Sequence, residues 1–313
     1  MRILVLLGGG SSEREVSISS GGRVAAALRE RGHSVTTADP YPDPFAVLEA
    51  ARAADVTWLA LHGGAGEDGT IQALLDLAGI TYTGSGVLAS ALAMDKDLSK
   101  VLFRAAGVPT ADWRMVTERM GTGWQGPAFA AECFAALGEK IVVKPSKQGS
   151  TVGLAIVKAP EDLGPAIAEA FKHDDEVMLE AFIPGRELTV GVLGGMAMPV
   201  GEIIPKHEIY DYECKYVPGM AEELFPAPIP ERVRDEVQRL SMVAYAALKL
   251  RGCARIDFRL HPDGGLYCLE ANTLPGMTGT SLVPQAAQAA GIGFPELCER
   301  IALEAVRTRG GIE

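Results

Sequence analysis

The residue types best suited to chemistry lie near the end of the chain, where Asp257 stands in ARIDFR and Glu270 and Asn272 stand in LEAN. The intervening turn 261–265 (HPDGG) predicts a hairpin that brings Asp257 close to Glu270, while positions 270 and 272 share one strand face. Two carboxylates and an amide oxygen among apolar residues repel one another unless they are protonated or bridged by a cation. All-oxygen ligands suit Mg²⁺ held jointly with nucleotide phosphates. The alternative is a structural hairpin with its acids directed outward.

Two further stretches suit a nucleotide. Residues 144–153 (KPSKQGSTVG) predict a flexible hairpin whose amides and lysines, Lys144 among them, can close over phosphates. Residues 178–187 (MLEAFIPGRE) offer an apolar slot for adenine and carboxylates for ribose hydroxyls, with Glu180, the 181–183 backbone and Glu187 as the contacts. Taken singly, the first is also typical of a solvated turn and the second of an amphipathic strand before a Pro-Gly turn.

The amino-terminal stretch 5–17 (VLLGGGSSEREVS) resembles a dinucleotide-binding loop but fails at its sixth position, where Glu13 replaces the third glycine. Glu13 and Glu15 put negative charge where a pyrophosphate would meet the helix N-terminus, which favours a positively charged guest. The alternative is that these glutamates only complement the helix dipole. A Walker phosphate loop is excluded because the chain contains no Gly-Lys dipeptide.

The pattern of apolar residues predicts the strands and helices that position these side chains. Strands at 2–7, 33–38 and 55–61, alternating with helices at 16–31 and 44–54, predict a doubly wound parallel sheet over the first 90 or so residues. Sites in such sheets lie at the carboxyl ends of strands, here the glycine loops after Leu7 and Leu61. Beyond residue 94 the pattern predicts α+β structure, with a helix at 95–106, strands at 140–144 and 188–193, a helix at 231–250 and the hairpin 253–272.

Bulk composition limits the partners and the compartment. The 313 residues carry a formal net charge of −11, which argues against nucleic acid or an anionic membrane as a partner. Five cysteines, an odd number without a C-x-x-C pair, indicate neither a disulfide framework nor a zinc site and suit a reducing cytoplasm. No targeting or membrane-spanning segment is expected, because no apolar run approaches about 18 residues.

In this order, the motifs resemble those of the ATP-grasp superfamily and, within it, the D-alanine:D-alanine ligase family. The resemblance covers essentially the whole chain and rests on residues 13–17, 62–64, 66–70, 82–86, 94–96, 144–153, 210–216 and 272–284. It implies an ATP-grasp fold with ATP held between two α+β subdomains. The expected division is a Rossmann-like substrate domain at 1–94, a small central subdomain at 95–183, and a larger subdomain at 184–313 that carries the metal and catalytic residues.

The resemblance also implies a reaction. Two D-alanines are joined at the expense of ATP: the first carboxylate attacks the γ-phosphate, and the second amine displaces phosphate from the resulting acyl phosphate. Two Mg²⁺ ions, with Mn²⁺ as a possible substitute, are expected on the metal residues, and the enzyme is expected to be a homodimer. The implied ATP-binding residues are Lys96, Lys144, Ser150, Glu180, Ala181, Phe182, Ile183 and Glu187, and the implied metal ligands are Asp257, Glu270 and Asn272.

For the amino acids, the resemblance implies that Glu15 receives the first ammonium near His62 and belongs to a hydrogen-bonded set with Ser150 and Tyr216. Arg255 and the Gly276 amide are expected to stabilise the tetrahedral oxyanion, although Arg255 could instead be only an ion-pair partner of the acids. Three further groups are expected to hold the second carboxylate: Lys215, Ser281 and the Leu282 amide.

Tyr216 favours dipeptide formation, because related ligases that use D-lactate replace this tyrosine. Two alternatives remain open: a D-alanyl-D-lactate type depsipeptide ligase, and a catalytically silent ATP-binding regulator. The sequence departs from the family pattern at Gln148, Ile209, Cys214 and residues 279–280, which raises a question about nucleotide affinity but removes no implied ligand.

Overall fold

The computed structural model describes residues 1–149, 151–210, 213–214, 217 and 219–309. Three sheets organise this part of the chain, and each lies in a different one of the three expected segments. None of the helices in the described ranges is both long and apolar enough to span a membrane. The sequence-based expectations for Ser150, Lys215 and Tyr216 concern residues outside the described ranges.

The first sheet is parallel, with β1 (Arg2–Leu6) between β2 (Ser34–Ala38) and β3 (Val56–Leu59), as the sequence predicts. Its helices are α1 (Arg14–Glu30), α2 (Leu48–Ala53), α3 (Thr70–Leu77) and α4 (Val87–Met94). The expected helix at 44–54 is shorter, because residues 44–47 form a 3₁₀ turn whose first free amide, that of Phe45, donates to the Asp43 carboxylate at 2.9 Å.

Helix α1 approaches the sheet closely at one glycine. A Cβ on Gly21 would lie 2.5 Å from the Leu7 Cβ and 3.3 Å from the Ala60 Cβ, whereas a Cβ on the exposed Gly22 would meet nothing within 4 Å. We expect Gly21→Ala to lower the free energy of unfolding by about 1–3 kcal/mol through overpacking. Gly22→Ala, its matched control, should raise it by about 0.5–1 kcal/mol through helix propensity. Denaturant unfolding measures both, and equal effects would contradict this packing.

The central segment forms an antiparallel sheet in the order β4-β7-β5-β6, in which β5 and β6 pair as the sequence predicts for the ends of the phosphate-type loop. Two helices cover one face and share a core with it that includes Cys133, Ile141 and Ile167. The elements are α5 (Lys96–Ala105), β4 (Trp113–Thr117), α6 (Pro127–Leu137), β5 (Ile141–Pro145), β6 (Ala155–Val157), α7 (Pro160–Ala170) and β7 (Glu176–Ala181).

The third sheet runs in the order β11-β10-β8-β12-β13, with the short β9 also paired to β8. Its long strands β8 and β12 are buried along most of their length, which places the end of the hairpin in the interior. The elements are β8 (Arg186–Leu193), β9 (Met196–Ala197), β10 (Gly201–Pro205), β11 (Ala221–Leu224), α8 (Glu231–Ala247), β12 (Cys253–Leu260), β13 (Leu266–Asn272), α9 (Leu282–Ala289) and α10 (Phe294–Arg309).

Helix α10 returns to the first sheet, a connection that the sequence analysis does not anticipate. Leu297 and Ile301 share a core with Val5 of β1, and the Trp58 indole donates to the Cys298 carbonyl at 3.4 Å. At the rim, Glu299 accepts from Arg31 at 2.6 Å. The first and third segments therefore share one hydrophobic core, which fixes the substrate loops of the first relative to the acidic hairpin of the third.

Candidate active site

Two adjoining cavities lie where the three sheets meet. The first is lined chiefly by the loops of the first sheet and the segment after β13, and the second by the central sheet together with β8, β12 and β13. Both are lined by Lys96, Gly149, Tyr210, Arg255 and Glu270. Groups bound in the two cavities would therefore meet at Arg255 and Glu270.

The hairpin prediction is confirmed. Strands β12 and β13 pair so that Asp257 lies opposite Glu270 and Arg255 lies opposite Asn272. Asp257 is buried and accepts hydrogen bonds from Thr189 Oγ1 at 2.7 Å and from Arg255 Nη2 at 2.8 Å. Burial alone would lower the pKa of Arg255, but the charge and hydrogen bonds of Asp257, together with the charge of Glu270, outweigh it and raise that pKa, so Arg255 is a permanent cation.

These residues also fit a divalent ion shared with phosphates. Within the described ranges, no group of three or more His, Cys, Asp or Glu side chains forms a self-sufficient metal site. Asp257 and Glu270 supply two carboxylates, and the Asn272 Oδ1 lies at the same hairpin end, where it accepts from the Leu274 amide at 3.1 Å. Mg²⁺ is typically held in this way, by one or two carboxylates completed by substrate phosphates and water.

Cations line the other side of the second cavity. Lys96 Nζ donates to the Gln148 carbonyl at 2.7 Å and lies 3.8 Å from Glu270, while Lys144 Nζ donates to Glu180 Oε2 at 2.6 Å. Further along the cavity lie Ala181, Phe182, Ile183 and Glu187. The structure thus brings every described residue of the implied ATP set into one cavity.

A single arginine holds Glu187 and the 181–183 segment in place. Arg259 donates to the Ile183 carbonyl at 3.1 Å and to Glu187 Oε2 at 3.3 Å, so a single guanidinium fixes both. Ile209 also lines this cavity.

The structure corrects the sequence-based assignment at the amino-terminal loop. Glu13 precedes the first residue of α1, is 8% exposed and lines the first cavity, whereas Glu15 is exposed and lines neither cavity. Successive residues of an α-helix are rotated by about 100° about its axis, so side chains two positions apart point in nearly opposite directions. The structure therefore does not support the prediction that Glu15 faces a substrate, because Glu13 is the carboxylate that lines this cavity.

His62 lies in the first cavity, as expected, and two residues that the sequence analysis missed hold it there. Its Nδ1 is 3.7 Å from Glu67 Oε1, and its Nε2 is 3.2 Å from Ser20 Oγ. Ser20 Oγ also accepts from the Met277 amide at 3.2 Å, which links α1 to the loop after β13. Glu67 belongs to the motif at residues 66–70 and was open to prediction, whereas nothing in the sequence marks Ser20.

The segment after β13 brings Gly276, Ser281 and Leu282 to the first cavity. Ser281 Oγ accepts from the Thr278 amide at 2.9 Å, and α9 begins at Leu282, so the free amides of its first turn lie beside the cavity. A Cβ on Gly276 would come within 2.7 Å of Ser281 Oγ, so a larger residue there would displace that hydroxyl.

A parallel-sheet domain followed by two antiparallel sheets, with the second cavity between those two, defines an ATP-grasp architecture. The model for the D-ala D-ala ligase C-terminus matches residues 102–303, and the model for the D-ala D-ala ligase N-terminus matches residues 38–85. The chain therefore belongs to the D-alanine--D-alanine ligase family.

Individual members of this family are similar to the chain over nearly its full length and nearly their own. A D-alanine--D-alanine ligase of Syntrophotalea carbinolica is 45% identical over 300 residues, which are 96% of this chain and 94% of that protein. One from Citrifermentans bemidjiense is 47% identical with the same coverage. The crystal structure of the Bacillus anthracis ligase complexed with ATP superimposes with a TM-score of 0.86 at 35% identity, covering 99% of this chain and 98% of that one.

Proposed function

We propose that this protein joins two molecules of D-alanine to D-alanyl-D-alanine, with conversion of ATP to ADP and phosphate, for peptidoglycan precursor synthesis. The observation that carries the proposal, together with the family membership, is that both cavities meet at Arg255 and Glu270. A carboxylate in the first cavity can thus reach a phosphoryl group presented from the second.

The second cavity is assigned to the nucleotide. Lys96 and Lys144 bind its phosphates, and the 180–183 segment and Glu187 bind adenine and ribose. Ser150 lies outside the described residues and is assigned to the same set from the family resemblance. Asp257, Glu270 and Asn272 would hold two Mg²⁺ ions, or Mn²⁺, which when bound neutralise charge on the transferring phosphoryl group. The presence of two opposed carboxylates beside two lysines supports this assignment.

The first cavity is assigned to the amino acids. Glu13 receives the ammonium of the first D-alanine, and a carboxylate oxygen of that molecule attacks the γ-phosphorus, so that the bond from phosphorus to the β,γ-bridging oxygen breaks and ADP leaves. His62, held by Glu67 and Ser20, lies beside this substrate.

The second D-alanine binds through its carboxylate to Ser281, the Leu282 amide and Lys215. Its amine attacks the acyl carbon, the carbon–oxygen bond to phosphate breaks, and the amine loses a proton. Arg255 and the Gly276 amide stabilise the tetrahedral oxyanion between these events. The Arg255–Asp257 ion pair gives this guanidinium a fixed orientation, so its pairing with the acids is compatible with the oxyanion role.

The remaining assignments concern assembly and location. We infer a cytoplasmic homodimer joined through the N-terminal domain. Five buried free thiols support a reducing compartment, and exposed apolar side chains on the first segment, among them Tyr41, Phe45 and Leu77, support a contact surface there. The three-segment division at residues 94 and 183 agrees with the distribution of the sheets.

Phosphate release from ATP and Mg²⁺, with D-alanine, L-alanine or D-lactate supplied separately and with D-lactate plus D-alanine, tests the proposal. We expect release to depend on D-alanine alone and to yield the dipeptide. Release that requires D-lactate would favour the depsipeptide alternative, and ATP binding without release in any mixture would favour a silent regulator.

A further inference from the structure

Lys100, in α5, is a buried cation outside both cavities. Its side chain is completely enclosed and lies with its ammonium 5.0 Å from the centre of the Trp113 ring. The ammonium donates to Thr110 Oγ1 at 2.8 Å and to Glu180 Oε1. Since neither cavity is lined by Lys100, the assignments above give it no contact with a substrate.

Glu180 is held by two lysines, one on each oxygen. Lys100 binds Oε1 from behind, and Lys144 binds Oε2 at 2.6 Å from the side of the second cavity. Burial alone would raise the pKa of Glu180, but the charges of Lys144 and Lys100 outweigh it and lower that pKa to about 2. Glu180 is therefore an ionised carboxylate in a nearly solvent-free position.

The two lysines differ in what else they can reach. Lys144 lines the second cavity, so it can turn from Glu180 to a phosphate, whereas among the described residues the Lys100 ammonium contacts Glu180, Thr110 and the Trp113 ring. An ionised carboxylate left without its cation in such a place is strongly unfavourable. Burial lowers the pKa of Lys100, and the charge of Glu180 acts against that shift, so each group helps to keep the other charged. Glu180 thus needs a second counter-ion if Lys144 is to leave it.

We propose that Lys100 is a positioning residue for nucleotide binding: it remains on Glu180, keeps that carboxylate oriented toward the cavity, and frees Lys144 to bind phosphate. This rests on the proposed function only in placing the nucleotide in the second cavity. The network continues through Thr110 Oγ1, which donates to the Cys268 carbonyl at 2.8 Å. Cys268 is in β13, two residues before Glu270, so Lys100 also ties the adenine side of the cavity to the acidic hairpin.

Lys100→Met provides the test, with Arg104→Met as its matched control. Arg104 is one turn further along α5 and stacks on the same Trp113 ring at 4.4 Å, but it pairs with Asp112 at the surface and donates to the Thr110 and Ala111 carbonyls. Within the described part of the chain, no hydrogen bond or ion pair joins it to Glu180. The readout is the equilibrium affinity for a non-hydrolysable ATP analogue with Mg²⁺, measured by calorimetry. In Lys100→Met we expect Lys144 to stay on Glu180 and the affinity to fall about 10- to 100-fold; Arg104→Met should match the wild type.

Under turnover, the KM for ATP should rise in Lys100→Met while the KM for D-alanine stays unchanged, a split that general loosening of the fold would not give. Unchanged nucleotide affinity in a folded Lys100→Met variant would overturn the inference. Because the calorimetric readout needs no acceptor, it remains decisive even if D-alanine fails to be the substrate.

A double variant keeps the test decisive if Lys100→Met does not fold. Glu180→Gln with Lys100→Met leaves no uncompensated carboxylate, so it should fold and should bind the analogue as Glu180→Gln alone does. A further loss of affinity in the double variant, relative to Glu180→Gln, would show that Lys100 acts otherwise than through Glu180.

Discussion

Replacing Glu13 with glutamine is expected to lower kcat/KM for D-alanine by about 100-fold, because the first ammonium loses its only buried carboxylate partner in the assignment above. Glu13 is 8% exposed and lines the first cavity, so water cannot readily replace the missing charge. The KM for ATP should change little, since the second cavity is not lined by Glu13. Initial rates with each substrate varied in turn separate these effects.

Glu15→Gln is the matched control, with the same chemical change two residues further along the chain. Its side chain is exposed and lines neither cavity, so its kinetics should equal those of the wild type. The reverse pattern, with a large loss in Glu15→Gln and none in Glu13→Gln, would restore the assignment made from sequence and reject the one made from structure.

Glu270→Gln is expected to lower kcat by at least about 100-fold while leaving the fold intact. Glu270 lies opposite Asp257 and lines both cavities, so removal of its charge should weaken binding of the proposed metal ions beside the transferred phosphoryl group. Its side chain is 35% exposed, so folding depends on it far less than on the buried Asp257. Steady-state rates over a Mg²⁺ titration, together with thermal unfolding, measure both quantities.

Asp263→Asn provides the comparison for this variant. It makes the same charge change in the turn of the same hairpin, where the side chain is exposed and its partners in the described ranges are the local His261 and the Gly265 amide. Turnover should be unaffected. If Glu270→Gln retained normal turnover at low Mg²⁺, the carboxylate pair would not be the metal site.

The acidic hairpin could be predicted from sequence because its geometry is local. The turn at 261–265 sets which residues of two neighbouring strands face each other, and side-chain alternation places 270 and 272 on one face. The structure has this pairing, with Asp257 opposite Glu270. The parallel first sheet was predictable for a similar reason, since short apolar runs alternate with helical segments.

The choice between Glu13 and Glu15 could not be made in this way. It depends on where α1 begins, and the ends of helices are the least certain part of any periodicity argument. The helix begins at Arg14 rather than Val16, so Glu13 immediately precedes it and Glu15 turns outward.

The other site residues and contacts could not be predicted from the sequence because they depend on residues far apart along the chain. Ser20 reaches His62 across 42 positions and Met277 across 257, and α10 packs on the first sheet from the far end of the chain. Lys100 and Glu180, 80 positions apart, form an ion pair that no local pattern signals. Such pairs follow from how the three sheets pack together, which hydrophobic spacing does not specify.

The central claim, ligation through an acyl phosphate, is most directly tested with D-alanine labelled with ¹⁸O in both carboxylate oxygens, incubated with ATP and Mg²⁺. The account predicts D-alanyl-D-alanine and ADP in equal amounts, with one ¹⁸O from each activated D-alanine recovered in the released phosphate. Dipeptide formed with no label in the phosphate would contradict it.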